Sequence, residues 1–185
     1  MLAIRVAAKK KVNLVIGTTG FSQQDIDEID KLCASNNIGA IVASNFAIGA
    51  ILMIHMAKIA SKYFDYVEVI EKHHEKKADA PSGTALSTAK AMVQARGKGF
   101  TMPPLEKETL SHVRGGQTDG VSIHSVRLPG LMAHQEVIFG ALGQTLTIRH
   151  DALNRECYMP GVIMAVKHVN ANKGLIVGLD KMLGL

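Results

Sequence analysis

The sequence predicts an α/β fold, in which part of a parallel sheet wound with helices joins an α+β region built on a mixed, mostly antiparallel sheet. Three observations predict it. Short apolar runs alternate with helical patterns through the first half, giving a β-α-β-α-β order. Strand-like segments then follow one another, with only short turns between them, from Val121 to Ala152. The chain also opens with helical turns, "LAIRVAAKK", that lead straight into a buried strand.

Each element has its own signal. "VNLVIG" (Val12–Gly17) is a short apolar run that stops in the turn "GTTG". Ser22 stands three residues before Asp25, the spacing of a capping box, and Ile26, Ile29, Leu32 and Cys33 follow at helical intervals. "GAIVASN" (Gly39–Asn45) reads as a second buried strand, and an apolar helix runs from about Phe46 to Lys62. "YVEVIE" (Tyr66–Glu71) alternates as a third strand of that layer. A helix from about Gly83 to Ala95 should bury Leu86, Ala89, Met92 and Val93. After the loop "RGKGFTMPP", the segments "VSIHSVRL", "HQEVIFGA" and "QTLTIRHDA" read as antiparallel strands. A final helix from about Asn154 to Val169 presents Tyr158, Val162, Ile163, Val166 and Val169 on one face, and the apolar tail "GLIVGLDKMLGL" must pack back on the rest. No internal repeat or low-complexity segment interrupts this order.

Composition narrows the class. The chain has 185 residues, 47% hydrophobic and 20% charged, which suits a globular protein with a proper core. The longest apolar stretch, "FAIGAILMIHMAKIA", is interrupted by His55 and Lys58 and falls short of the ~18–20 apolar residues of a membrane span. The basic start follows an apolar stretch, the reverse of a signal peptide. Cys33 and Cys157 have neither metal-site nor paired spacing and read as free thiols of a reducing, cytoplasmic compartment. A net charge of +5 invites the question of nucleic acid, but there is no Trp, aromatics are 4%, and no nucleic-acid-binding motif is present. A small anionic ligand accounts for a local basic cluster equally well.

That cluster is "EKHHEKKADAPSGTALSTA" (Glu71–Ala89). It follows the carboxyl end of a strand, where α/β folds place ligands. His73 and His74 are proton-exchanging side chains, and Lys72, Lys76 and Lys77 surround them with positive potential that attracts an anion, a carboxylate above all. Pro81 fixes the backbone and Gly83 permits close approach. Ser82 or Thr84 then opens a helix whose N–H groups and positive dipole end suit a carboxylate or phosphate. Plainer readings coexist: an ordinary N-cap, a solvated surface loop, or a histidine metal site lacking its third ligand.

The pattern "E-x-HH-x-x-K-x-DAPSGTA" (Glu71–Ala85) resembles the signature of the dihydrodipicolinate reductase family. "VIGTTGFS" (Val15–Ser22), "ASNFAIG" (Ala43–Gly49), "VRLPGLMAHQEVIFG" and "LTIRHDALNRECYMPGVIMAV" follow the family's order, so the resemblance covers essentially the whole chain. It implies reduction of a cyclic unsaturated dicarboxylate to tetrahydrodipicolinate by NADH or NADPH, in lysine and diaminopimelate biosynthesis. By it, His73 is the proton donor and Lys77 the second catalytic residue. His74, Ser82, Gly83 and Thr84 then contact the substrate. Gly17, Thr18 and Thr19, with Ala43, Ser44, Asn45 and Phe46, line the nicotinamide and its ribose, and no metal is involved. The resemblance further implies a cytoplasmic homotetramer assembled through the C-terminal sheet. It divides the chain into a partial, Rossmann-like dinucleotide-binding domain (residues 1–45 and 170–185) and a substrate-binding and tetramerisation domain (46–169).

Family members begin with a "GxxGxxG" turn that holds the cofactor pyrophosphate, and "GTTG" is not that turn. The resemblance is thus to a member without the first βα units of its cofactor domain, expected to hold the dinucleotide weakly or not at all. Two further readings remain beside the reductase. One is a non-catalytic ligand-binding or assembly form. The other is a different nicotinamide-dependent oxidoreductase, which should lack the dicarboxylate loop.

Overall fold

The computed structural model describes all residues, Met1–Leu185, which form two compact units. The first comprises Met1–Ile51 and Arg155–Leu185, and the second Leu52–Asn154.

In the first unit, β1 (Leu14–Ile16), β2 (Gly39–Val42) and β8 (Gly174–Val177) make a three-stranded parallel sheet in the order β1-β2-β8. Alternate residues of its strands feed two cores. Leu14, Ile16, Ala40, Val42 and Leu175 pack with Ile4 and Ala8 of α1 (Leu2–Lys9) and Ile29 and Cys33 of α2 (Gln23–Asn36). Val15, Ile41 and Ile176 pack with Ala165 and Val169 of α5 (Met159–Ala171) and Leu179 of α6 (Leu179–Leu183). Helices on both faces explain why these strands read as unbroken apolar runs. The capping box that starts α2 is present: the Ser22 hydroxyl accepts from the Asp25 N–H and the Asp25 carboxylate accepts from the Ser22 N–H.

The second unit has the five-stranded sheet β4-β5-β3-β6-β7, formed by β3 (Tyr66–His73), β4 (Gly116–Thr118), β5 (Val121–Arg127), β6 (Ala133–Ala141) and β7 (Gln144–Ala152). Only β3 and β5 run parallel; the other neighbours are antiparallel. One face packs on α4 (Gly83–Arg96) through Val67, Val69, Val121, Ile123, Val137 and Phe139, together with Ala57 and Ala60 of α3 (Ile48–Ala60). Full burial of a side chain such as Phe139 stabilises by roughly 1.5–3 kcal/mol.

Several expectations are corrected. The strand at Tyr66–His73 does not complete the first sheet; it sits in the middle of the second, and β8 from the C-terminal tail takes the third place beside β2. Its strict alternation of burial is that of a strand in a sheet with one packed face. The α4 helix buries Ala85, Thr88, Ala89 and Met92, while Leu86 is exposed, because small residues bring helix and sheet close. The buried face of α5 is Gly161, Ala165 and Val169, and Ile163 and Val166 are exposed. A Cβ on Gly161 would meet the Phe46 carbonyl oxygen at 2.2 Å, so only glycine allows that approach. The α5 helix packs on β1 and β2, and the compact unit around the parallel sheet resumes at Arg155.

Candidate active site

The face of the second sheet that meets α4 changes character along its strands. β3 reads Val67, Val69, Glu71, His73 along it, and β5 reads Val121, Ile123, Ser125, Arg127. On β6, Phe139 and Val137 give way to Gln135, which lies opposite Glu71. The apolar end forms the core and the polar end carries the candidate site. Parallel pairing puts His73 beside Arg127 at the carboxyl ends of β3 and β5.

Glu71 is completely buried and ringed by polar partners. Its Oε1 accepts from Arg127 Nη2 at 2.8 Å and from the Ser82 backbone N–H at 3.2 Å. Its Oε2 accepts from Arg127 Nη1 at 2.9 Å and lies 2.5 Å from His73 Nδ1. Burial alone would push this carboxyl upward, but hydrogen bonds from Arg127, Ser125 and His73 outweigh it and hold the group below the usual carboxylate range. Burial lowers the His73 imidazole, Glu71 opposes that, and the charges of Lys77 and Arg127 add to the lowering.

The loop between β3 and α4 is tied to the same cluster. Arg127 Nη2 also donates to the Asp79 carbonyl at 2.7 Å, and the Ala80–Pro81 bond is cis. Ser82 is the N-cap of α4: its hydroxyl accepts from the Ala85 N–H at 3.2 Å. Thr84 stands in the first turn of α4, and its carbonyl accepts from the Thr88 hydroxyl at 2.8 Å. Thr88 in turn accepts from Gln135 Nε2 at 2.9 Å, and the Gln135 Oε1 is buried without a partner. Gly83 is exposed and Thr84 half-buried, and the Gly83 N–H is engaged by the Asp79 carboxylate at the exposed start of the helix.

The basic residues of the loop divide. Lys77 reaches the Asp79 carboxylate at 2.6 Å and is close enough to bear on His73. Lys72 does not belong to the cradle: it projects from the other face of β3 and pairs with Glu136 at 2.6 Å. His74 and Lys76 are exposed. No group of three or more His, Cys, Asp or Glu side chains is placed to hold a metal ion.

The second set of expected residues lies in the first unit, at the carboxyl ends of β1 and β2. The Ala43 N–H donates to the Ile16 carbonyl at 3.0 Å, which brings the two segments side by side. Gly17, Thr18, Thr19 and Ser44 are exposed, Asn45 is half-buried, and Ala43 and Phe46 are buried. Asn45 Oδ1 accepts from the Ala47 N–H at 2.8 Å and turns the chain toward α3. A Cβ on Gly17 would touch the Phe46 ring at 3.4 Å, so the glycine leaves exposed backbone beside an aromatic edge.

Glu71, Arg127, Thr88 and Gln135 are the residues that sequence reasoning did not single out. The signal for Glu71 was available, since alternation in "YVEVIEKH" sets a carboxylate on the same face as Val67 and Val69.

The family model described as dihydrodipicolinate reductase, C-terminus, matches residues 49–183, and the one described as its N-terminus matches residues 1–46. The 4-hydroxy-tetrahydrodipicolinate reductase of Dehalococcoides mccartyi (strain CBDB1) is 61% identical over 185 residues, covering all of this chain and 70% of that protein. The enzyme of the same name from Geobacillus thermodenitrificans (strain NG80-2) is 53% identical over 178 residues, covering 96% of this chain and 67% of that protein. A solved structure of dipicolinate-bound dihydrodipicolinate reductase from Paenisporosarcina sp. TG-14 superposes with a TM-score of 0.88 at 46% identity, covering 97% of this chain and 68% of that one. With both family models matched and a reductase fold shared over 97% of its own residues, this chain belongs to the dihydrodipicolinate reductase family.

Proposed function

We propose that the chain carries out the NADH- or NADPH-dependent reduction of 4-hydroxy-tetrahydrodipicolinate, by way of dihydrodipicolinate, to tetrahydrodipicolinate. One observation carries the reading: a single buried carboxylate, Glu71, joins the His73 imidazole to the N-cap of α4, so a proton donor and an anion-binding helix start share one loop.

A nicotinamide cofactor supplies the hydride, and Gly17, Thr18, Thr19, Ala43, Ser44, Asn45 and Phe46 are the residues that would hold its nicotinamide end. The chain's own groups do the rest. The substrate carboxylates are held by Lys77 and by the N–H groups of Gly83 and Thr84, with His74 and the Ser82 and Thr84 hydroxyls beside them. His73 delivers a proton to the ring carbon next to the one that is reduced, and Lys77 stabilises the negative charge there. Binding a dianion next to His73 favours the imidazolium, so substrate charges its own acid.

In this reading the first unit serves the cofactor, and the second serves the substrate and the assembly of a cytoplasmic homotetramer. Half-buried Ile70, Val126 and Ile138 on the sheet face away from α4 support such an assembly.

The test is an assay with freshly generated substrate and each cofactor, following loss of reduced nicotinamide. Substrate-dependent oxidation that disappears in His73→Ala supports the reading. Binding of pyridine-2,6-dicarboxylate with no turnover from either cofactor would contradict it and favour the non-catalytic form.

A further inference from the structure

Glu71 touches both the proposed acid, His73, and the N-cap residue of the cradle helix, Ser82. Arg127 Nη2 and the Ser82 N–H meet its Oε1, Arg127 Nη1 and His73 Nδ1 meet its Oε2, and the Ser125 side chain bonds to it as well. A carboxylate so held cannot turn without losing several charge-assisted bonds at once.

Paired with a guanidinium in this fork, Glu71 is ionised and can only accept. The 2.5 Å contact with His73 therefore requires the hydrogen to sit on Nδ1. We infer that Glu71 is a positioning residue for the acid: it fixes His73 in the Nδ1–H tautomer, leaves Nε2 as the atom that exchanges a proton, and ties that ring to the first turn of α4. The role given to Nε2 rests on the reductase reading; the tautomer does not.

The charged groups facing His73 are Glu71 from its own strand, Arg127 from β5 and Lys77 from the following loop. Without Glu71 the imidazole would face two cations alone and be free to turn. Arg127 extends the same tie to the Asp79 carbonyl, so ring, loop and helix start move together or not at all.

The test uses the whole chain with 15N-labelled histidine and long-range proton–nitrogen correlation across a pH titration, a spectrum that distinguishes the two neutral tautomers. The expected result is a wild-type His73 in the Nδ1–H form. Glu71→Gln should give a mixture that titrates at lower pH, and Glu71→Asp, which keeps the charge, should recover part of the wild-type pattern. An Nε2–H tautomer in the wild type overturns the inference, as does a Glu71→Gln spectrum and titration unchanged from wild type. Should Glu71→Gln fail to fold, the wild-type spectrum decides alone. In the assay, Glu71→Gln should lower kcat by about tenfold or more, within the ~10²–10⁴ that a general acid supplies. KM for the dicarboxylate should stay within about threefold. A wild type that shows the Nδ1–H tautomer but no turnover would defeat the reductase reading and leave the tautomer assignment standing.

Discussion

Glu71 and Arg127 lie on neighbouring parallel strands and meet through two hydrogen bonds, of 2.8 and 2.9 Å, one to each carboxylate oxygen. The carboxylate is wholly buried and the guanidinium mostly so. Neither charge would be tolerable at that depth alone, since an unpaired ion loses several kcal/mol of hydration. The pair is what allows a polar cluster to continue the apolar sheet face.

Removing one partner should therefore cost more than an ordinary surface substitution. Arg127→Met is expected to destabilise the fold by about 3–5 kcal/mol, because it strands the Glu71 charge. Adding Glu71→Gln to that background should recover part of the loss. Urea unfolding of the single and double variants measures both. An Arg127→Met midpoint equal to wild type would show that the pair does not hold the cluster.

Acid should act on the same cluster in two stages. Burial, aided by Lys77 and Arg127, holds His73 below the ordinary imidazole value of about 6.5, and burial lowers His150 likewise. A depressed group contributes stability above its unfolded pKa and loses it as pH falls through the folded one. The melting temperature should thus begin to fall below about pH 6.5. A second decline should follow below about pH 4.3, as protons reach Glu71, whose arginine and histidine partners hold it low against the effect of burial. Thermal melts across this range test the order; a protein that gains stability on acidification from neutral pH would contradict it.

Asp79 is a third point of leverage. Its carboxylate is held low first by Lys77, 2.6 Å away, and also by the Gly83 N–H, two of the donors assigned to the substrate. It is an internal competitor for the cradle. Asp79→Asn should tighten pyridine-2,6-dicarboxylate by about two- to fivefold, the scale of an exposed ion pair. Lys77→Ala should weaken it by about ten- to 150-fold, the scale of a lost hydrogen bond to a charge. Titration calorimetry gives both constants, and the opposite signs would refute the placement of Lys77.

Local pattern carried the architecture further than it carried partnerships. The apolar runs at Leu14–Ile16 and Gly39–Val42 read directly as buried strands, because helices cover both sides of them. The capping box at Ser22 and Asp25 likewise needs no information from outside its own turn. Strand membership was different. Tyr66–His73 pairs with strands more than fifty residues away, and β8 reaches β2 from the C-terminus, so neither sheet order lies in any local window. Helix faces were legible in part: Ala89, Met92 and Val169 are buried as expected, whereas Leu86, Ile163 and Val166 are exposed. The buried stripes of α4 and α5 are made of small residues such as Ala85, Ala89, Gly161 and Ala165, where close approach outranks hydrophobicity. In the site, His73, Lys77 and the Ser82 cap declare themselves by residue type and order. Arg127 does not, since only the β3–β5 register gives it a role.

The most direct test of the central claim, that the start of α4 and the His73–Lys77 segment form a dicarboxylate cradle, is a proton–nitrogen spectrum of the labelled chain titrated with pyridine-2,6-dicarboxylate. The account predicts saturable shifts largest at the backbone amides of Gly83 and Thr84 and at the His73 ring. Shifts that leave those three sites untouched while the ligand binds elsewhere would contradict it.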